Sequence, residues 1–168
     1  MASISKTFVA NIKEVIEKAQ HAAVRAVNQE RVQMYWQIGR HIVEEEQQGK
    51  ERAEYGAYII KSLAKELEKD FGSGFSMRQL ETCRQFYNTF PIAHTLRAQL
   101  NWSQYKLLIR IDDEDKRTYY IEETCNNNWS FRQLELKEEI DKTDREIDGM
   151  VYELYGLSEE EIEIVEGV

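Results

Sequence analysis

Side chains that recognise nucleic acids share one face of a helix that the sequence predicts over residues 76–90. The opposite face carries an apolar stripe of Leu80, Cys83, Tyr87 and Phe90. The polar candidates are Arg78, Gln79, Thr82, Arg84, Gln85 and Asn88. Because Arg, Gln, Asn and Thr bond to base edges and phosphates, this face is a candidate nucleic-acid-binding surface. The alternative is a solvated helix face that contains few acidic residues.

Two groups of acidic residues could bind a divalent metal, but each has a simpler interpretation. The carboxylates of 112–115 are of the type that binds Mg²⁺ or Ca²⁺. Acids are also favoured in the first turn of a helix by the helix dipole, and we favour that interpretation. Glu135-Leu136-Lys137 resembles the ExK element of metal-dependent nucleases, which requires a strand, whereas a helix is predicted here. We therefore predict no metal site and no cofactor.

The remaining reactive residue types form no catalytic pattern. His21, His41 and His94 are scattered, with no ligand spacing and no visible nucleophile or acid partner. Cys83 and Cys125 lack CxxC spacing, which favours buried thiols in a reducing cytosol. No apolar run approaches the roughly 18 residues of a membrane span, and the N-terminus does not resemble a signal peptide. These features predict a cytoplasmic protein with no membrane association.

The acidity of the chain is concentrated at its C-terminal end. The net charge of −9 is the sum of 0 for residues 1–70, +1 for residues 71–132 and −10 for residues 133–168. Phosphate neutralisation drives most of the affinity of DNA-binding proteins, so a negative charge counts against DNA binding. Here the negative charge lies in residues 133–168. Residues 1–132 are close to neutral, so their charge neither favours nor opposes DNA binding.

An aromatic residue followed by a serine begins three predicted helices. The segments are Phe75–Leu80, Trp102–Leu107 and Trp129–Leu134. The predicted N-caps are Ser76, Ser103 and Ser130. A capping serine with a preceding aromatic that packs on a leucine four residues later is typical of a hydrophobic staple. Gln79 and Gln133 also stand where they can complete capping boxes.

The sequence predicts an all-α fold made of a cluster of short helices. One Pro and eight Gly in 168 residues argue against a turn-rich β fold, and no strand is predicted. Predicted helices over residues 53–71 and 76–90 flank the turn Phe71–Phe75. The two helices and the turn together resemble a helix-turn-helix element. That turn is longer than the usual three or four residues.

A long N-terminal helix is predicted from apolar spacing between Phe8 and Gln48. At about 1.5 Å per residue it would be roughly 60 Å long, which is more than a small domain can cover. Either the helix breaks near Asn28–Gln29, or part of it packs against a second copy in a homodimer.

The C-terminal third is predicted to contain five further short helices. Their ranges are residues 103–111, Asp112 or Asp113 to Cys125, 130–140, 147–155 and 159–165. A change of composition after Asp144 suggests two parts, a helical domain over 1–140 and an acidic helical tail over 141–168.

Several ordered motifs of the body resemble the N-terminal domain of the bacterial YhcG family. The motifs are Tyr35–Gly56, Leu63–Leu67, Phe71–Ser76, Arg84–Tyr87, Leu100–Ser103 and Asn128–Ser130, and the resemblance covers about residues 8–140. In that family a helical DNA-binding domain precedes a PD-(D/E)xK nuclease domain. The sequence departs from the family where the nuclease domain should begin, so no catalytic residue can be assigned. The resemblance therefore implies a module that is not itself an enzyme.

The segment Thr143–Ile162 is similar to the short tail that ends many bacterial restriction-modification DNA methylases and nucleases. Together the two resemblances imply a non-catalytic module of a bacterial restriction or defence system. It would bind duplex DNA or dock on a nuclease or restriction-modification subunit, and form a homodimer. The alternative is an adaptor for protein–protein interaction or dimerisation that does not bind DNA.

Overall fold

A computed structural model describes residues 5–48, 55–93 and 96–166, and the elements in these ranges are helical. The helices are α1 Lys6–Gln48, α2 Tyr55–Phe71, α3 Met77–Thr89, α4 Trp102–Leu108, α5 Glu114–Asn127, α6 Phe131–Tyr155 and α7 Glu159–Glu166. A short 3₁₀ turn, Ser73–Phe75, joins α2 to α3. No strand occurs in the described ranges, and the all-α prediction is confirmed. The predicted start of α2 at Ala53 lies outside the described residues.

The chain divides into two compact units, residues 1–128 and residues 129–168. The first contains α1 to α5, and the second contains α6 and α7. The predicted division into a domain over 1–140 and a tail over 141–168 stays a prediction. None of the helices in the described ranges is both long enough and apolar enough to cross a membrane.

Helix α1 is continuous over 43 residues, which confirms the predicted long helix and excludes the alternative of a break near Asn28–Gln29. The segment contains no proline, and Gly39 is its single glycine, so nothing in its backbone chemistry ends the helix. The two halves of α1 differ in burial. Val32, Trp36 and Ile42 are buried in the C-terminal half, whereas every residue from Lys6 to Val27 is exposed.

Gly39 allows α1 to pack closely against α3, the helix that it contacts most extensively. A Cβ atom at Gly39 would lie 2.0 Å from the carbonyl oxygen of Cys83, well inside van der Waals contact. Any larger residue would therefore separate the two helices. This close approach fixes the position of α3 against α1.

The core of the first unit has an aliphatic part and an aromatic part. Ile42, Ile60, Ala64 and Leu80 form the aliphatic part, where α1, α2 and α3 meet. The aromatic part joins α1, α3 and α4 and includes Tyr35, Trp36, Phe86, Tyr87, Phe90, Trp102 and Tyr105. Ring pairs of this kind contribute about 0.5–1.5 kcal/mol each beyond their buried area.

Individual contacts place specific residues in this aromatic core. Phe86 lies 5.2 Å from Trp102 and 4.9 Å from Tyr105 between ring centroids, and the indole N–H of Trp36 donates to the carbonyl oxygen of Phe90 at 2.6 Å. Phe86 was not predicted as a core residue but is fully buried. Tyr87 was predicted to be buried but is half-buried.

Side-chain caps fix the starts of α3 and α4, and one predicted cap is wrong. Ser76 accepts from the backbone N–H of Gln79 at 3.4 Å, as predicted. Helix α4, however, begins at Trp102 and is capped by Asn101, not by Ser103. Asn101 and Gln104 form a complete capping box. Trp102 belongs to the helix because its ring packs on Tyr35 and Phe86 in the core.

The starts of α5 and α6 follow the prediction. Asp113 accepts from the backbone N–H of Lys116 at 2.8 Å and caps α5. Ser130 and Gln133 form the predicted capping box of α6. In α3, by contrast, the Gln79 side chain donates to the sulfur of Cys83 and does not return to the cap.

In the second unit, the two predicted helices 130–140 and 147–155 are one continuous helix, α6. Ion pairs four residues apart cross the region where a break was expected, namely Lys137–Asp141 at 2.7 Å and Lys142–Glu146 at 3.8 Å. Such pairs each support a helix by a few tenths of a kcal/mol, roughly 0.2–0.5. Gly156, with a φ of 63°, ends α6, and Ser158 caps α7.

Candidate nucleic-acid interface

A polar groove of about 610 Å³ lies between α3 and the C-terminal end of α4, within the first unit. Its lining consists of Ser76, Arg78, Gln79, Glu81, Thr82, Gln85, Lys106, Ile109 and Arg110. We call these residues the α3–α4 groove. One wall comes from the first three turns of α3 and its cap, and the other from the end of α4 and the turn that follows.

Four of the six predicted contact residues lie in the α3–α4 groove. Arg78 and Gln85 are exposed, so both side chains can reach a ligand. Thr82 is half-buried, and its hydroxyl donates to the carbonyl oxygen of Arg78 at 2.8 Å. Gln79 is also half-buried, and its amide donates to the sulfur of Cys83 at 3.7 Å. Thr82 and Gln79 therefore shape the wall, while Arg78 and Gln85 offer free donor groups.

Arg84, the fifth predicted residue, points away from the groove and makes two ion pairs. Its guanidinium donates to the carboxylate of Glu46 on α1 at 3.0 Å and to that of Glu81 on its own helix. Gly56 on α2 leaves space for the Glu46 carboxylate, since a Cβ there would lie 2.7 Å from its oxygen. Arg84 thus links α1 to α3. Asn88, the sixth predicted residue, is exposed on α3 but does not line the groove.

Lys106 and Arg110 complete the groove and were not predicted from the sequence. Both side chains are exposed, and four residues separate them, so they project from the same side of α4 and its final turn. The turn is ordered by the backbone N–H of Arg110, which donates to the carbonyl oxygen of Leu107 at 3.0 Å. The four-residue spacing of the two cations was the available signal. Their approach to α3, however, depends on tertiary packing.

The groove has an excess of positive charge. Arg78, Lys106 and Arg110 contribute three cations, while its single carboxylate, Glu81, is ion-paired with Arg84. The groove also contains the N-terminal turn of α3, where free backbone N–H groups and the helix dipole favour an anion. These features suit phosphate groups, and the exposed amide of Gln85 adds a group that can bond to a base edge.

Cys83 is buried and accepts a hydrogen bond from Gln79, which lines the groove. Burial raises the pKa of the Cys83 thiol to about 12, and the hydrogen bond from Gln79 lowers that pKa by a smaller amount. Burial also raises the pKa of Cys125. Both thiols are therefore neutral at physiological pH, and neither is a ready nucleophile.

The acidic clusters occupy ordinary helical positions. Asp113 caps α5, and Glu114 and Asp115 lie in its first turn. Glu135 and Lys137 lie on α6, where Lys137 pairs with Asp141. Across residues 5–48, 55–93 and 96–166, no three His, Cys, Asp or Glu side chains come together as a set of metal ligands.

His21 and His41 take no part in the groove. His21 and His41 are exposed on α1, and His41 lies 3.5 Å from the carboxylate of Glu44. His94 lies outside the described residues.

Comparison with known proteins places residues 11–145 within a family model described as the DUF1016 N-terminal domain. The chain is also similar to a protein of Escherichia coli (strain K12) named "Putative nuclease YhcG", with 33% identity over 156 residues. That similarity covers 74% of this chain and 42% of the relative, so the chain spans less than half of the relative's length. No solved structure matches the chain.

Proposed function

Because the chain belongs to the DUF1016 N-terminal domain family, we propose that it is the non-catalytic, DNA-binding module of a bacterial nuclease system of the restriction or defence type. The proposed ligand is duplex DNA, and the proposed contact surface is the α3–α4 groove. The observation that carries the proposal is the convergence of Arg78, Lys106 and Arg110 on one groove beside exposed Gln85.

The groove offers both kinds of contact that a duplex requires. Lys106 and Arg110 on the α4 side are suited to phosphates, which fix the position and orientation of a protein on DNA. Arg78 and Gln85 lie along α3, where Arg and Gln can bond to the edges of guanine and adenine in the major groove. Helix α3 is thus the proposed recognition helix, and it follows α2 through the 3₁₀ turn as in a helix-turn-helix arrangement.

The distribution of charge supports DNA binding in spite of the negative total. Residues 71–132, which contain α3 and α4, carry a net charge of +1, and residues 133–168 carry −10. A duplex bound in the α3–α4 groove would meet the cations locally, and electrostatic attraction acts mainly within about 8–10 Å at physiological salt. The acidic segment lowers affinity only to the extent that it lies within that range.

A binding titration with a matched control variant tests the proposal. Fluorescence anisotropy of a labelled 20-base-pair duplex at about 50 mM salt should show saturable binding by the full chain, because low salt strengthens the attraction between cations and phosphates. Replacing Arg78, Lys106 and Arg110 with Ala should weaken binding at least tenfold, since the variant neutralises fewer phosphates and releases fewer counterions from the DNA.

The control removes the same amount of charge elsewhere. Lys13, Lys61 and Lys65 are exposed and lie outside the groove, so their triple replacement by Ala should change affinity by less than threefold. Equal decreases in affinity for the two triple variants would show that only net charge matters, which contradicts binding at the groove.

A second candidate function, an adaptor that docks a protein partner and does not bind DNA, is favoured by the surface of the second unit. Exposed apolar side chains there include Ile147, Met150, Val151, Leu154 and Tyr155. Apolar side chains left in water on an acidic helix suit a partner that is both apolar and basic, such as a nuclease or restriction-modification subunit. If the full chain does not bind the duplex at low salt, this adaptor function replaces the DNA-binding one.

A further inference from the structure

The N-terminal half of α1 is a helix with an exposed apolar face. Every residue from Lys6 to Val27 is exposed, and Phe8, Ile12 and Val15 keep 58%, 47% and 64% of their surface in water. The packed C-terminal half of α1 nucleates the helix, but the exposed half lacks the packing of an apolar face that provides most of the stability of helices in proteins. The segment therefore needs an apolar partner, and its own residue spacing indicates which one.

The apolar residues of this segment follow a seven-residue repeat with steps of four and three. The repeat positions are Phe8, Ile12, Val15, Ala19, Ala22 and Ala26. Alternating steps of four and three mark the seam of a two-helix coiled coil. The large residues occupy the first half of the seam and the alanines occupy the second half.

Two copies of this seam fit evenly only when they run in opposite directions, because the large residues of one copy then face the alanines of the other. In an antiparallel pair centred on residue 17, Phe8 lies opposite Ala26, Ile12 opposite Ala22, and Val15 opposite Ala19. Each layer then combines one large and one small side chain, so the two helix axes keep a constant separation. A parallel pair would place Phe8 against Phe8 and Ala26 against Ala26. The helix axes would then be far apart at the phenylalanine end and close together at the alanine end, which leaves voids in the interface.

The residues beside the seam fit the same arrangement. The flanking residues meet diagonally, offset by two residues from the layers of the seam, so that Val9 approaches Ala23 and the two copies of Ile16 approach each other near the twofold axis. On the other side the two copies of Lys18 approach each other, and each is paired with its own Glu14 at 2.7 Å. This ion pair reduces the like-charge repulsion, so no uncompensated charge is placed in the seam.

The area available is that of a weak interface. The segment from Lys6 to Val27 is about 33 Å long at 1.5 Å per residue, and its apolar side is about 10 Å wide. Each face therefore covers about 330 Å², and the two together cover about 660 Å², which is in the range of weak and transient interfaces, below about 1,200 Å². Association in the micromolar range is therefore expected.

We infer that the N-terminal half of α1 binds a second copy of this chain as an antiparallel helix pair. The resulting dimer is symmetric, and each copy contributes the same surface. The inference does not depend on DNA binding, because the seam and the α3–α4 groove share no residue.

The mass of the particle in solution tests the existence of the dimer. Sedimentation equilibrium of the full chain at about 50 µM should give twice the 19.9 kDa chain mass. Ala22→Glu places a carboxylate in the seam and should yield monomers, with at least a hundredfold weaker association. Val24→Glu places the same charge on the outer side of the helix, where Val24 is 59% exposed, and should remain dimeric. A monomeric wild-type chain at this concentration would overturn the inference.

A distance between labels tests the antiparallel direction. Spin labels on Thr7→Cys, in a chain that also carries Cys125→Ser, should be about 30 Å apart across an antiparallel pair centred on residue 17. The remaining Cys83 is buried, with its pKa raised to about 12, and does not compete for the label. A parallel pair would bring the labels within about 15 Å, close to the separation of two packed helix axes plus side chains. That result would contradict the proposed pairing while leaving a dimer in place.

Discussion

Two arginines on the same helix have different roles because their neighbours differ. Arg78 is exposed in the α3–α4 groove, and its guanidinium is available to a ligand. Arg84 is half-buried between the carboxylates of Glu46 and Glu81 and joins α3 to α1. Residue type alone makes both arginines candidates for DNA contact. Their surroundings leave Arg78 accessible to a ligand and hold Arg84 in ion pairs within the fold.

Arg84→Ala is expected to destabilise the fold by about 1–3 kcal/mol, because it leaves the half-buried Glu46 carboxylate without its charged hydrogen-bond donor. Arg78→Ala should change the free energy of unfolding by no more than about 0.5 kcal/mol, as is usual for exposed positions. Urea denaturation followed by circular dichroism measures both. Equal stabilities of the two variants would mean that the Arg84 ion pairs contribute nothing to the fold.

At the scale of helices, local side-chain chemistry determines where a helix begins unless a core residue requires otherwise. The pattern of an aromatic followed by serine correctly located the caps of α3 and α6. It failed at α4 because Trp102 is buried within the helix and packs on Tyr35 and Phe86, so the cap moves back to Asn101.

The two candidate caps of α4 give a direct comparison. Asn101→Ala should cost about 1 kcal/mol, because the backbone N–H of Gln104 loses its acceptor at 3.1 Å. Ser103→Ala should be neutral to within about 0.5 kcal/mol, since Ser103 is an exposed residue inside the helix. Thermal or urea unfolding of the two variants measures the difference. A greater destabilisation by Ser103→Ala would restore the cap predicted from the sequence.

Sequence patterns located the elements more accurately than the contacts between them. The apolar spacing from Phe8 to Gln48 predicted a helix over nearly the full observed range of α1. The change of composition after Asp144 was mistaken for a break in α6, although ion pairs four residues apart continue through it. In the candidate site, Lys106 and Arg110 could not be predicted because α4 approaches α3 through the buried packing of Phe86 on Trp102 and Tyr105.

At the scale of the whole molecule, charge is separated along the chain. Residues 141–168 carry ten acidic and two basic side chains, whereas the groove of the first unit presents three cations. Separation of this kind allows an acidic protein to contact DNA through one local surface. It also explains why net charge is a poor guide to function for this chain. For the proposed DNA binding, the decisive quantity is the number of cations that meet phosphates in the groove.

The dependence of DNA affinity on salt measures that number and tests the central claim most directly. The logarithm of the association constant should fall linearly with the logarithm of salt concentration, with a slope of about −0.9 for each phosphate neutralised. Replacing Arg78, Lys106 and Arg110 with Ala should make the slope less steep by about 1.8, because Lys106 and Arg110 are the proposed phosphate contacts. The Lys13, Lys61 and Lys65 variant should keep the wild-type slope. A slope that is unchanged in the groove variant, or an absence of duplex binding by the wild-type chain at low salt, would contradict the account.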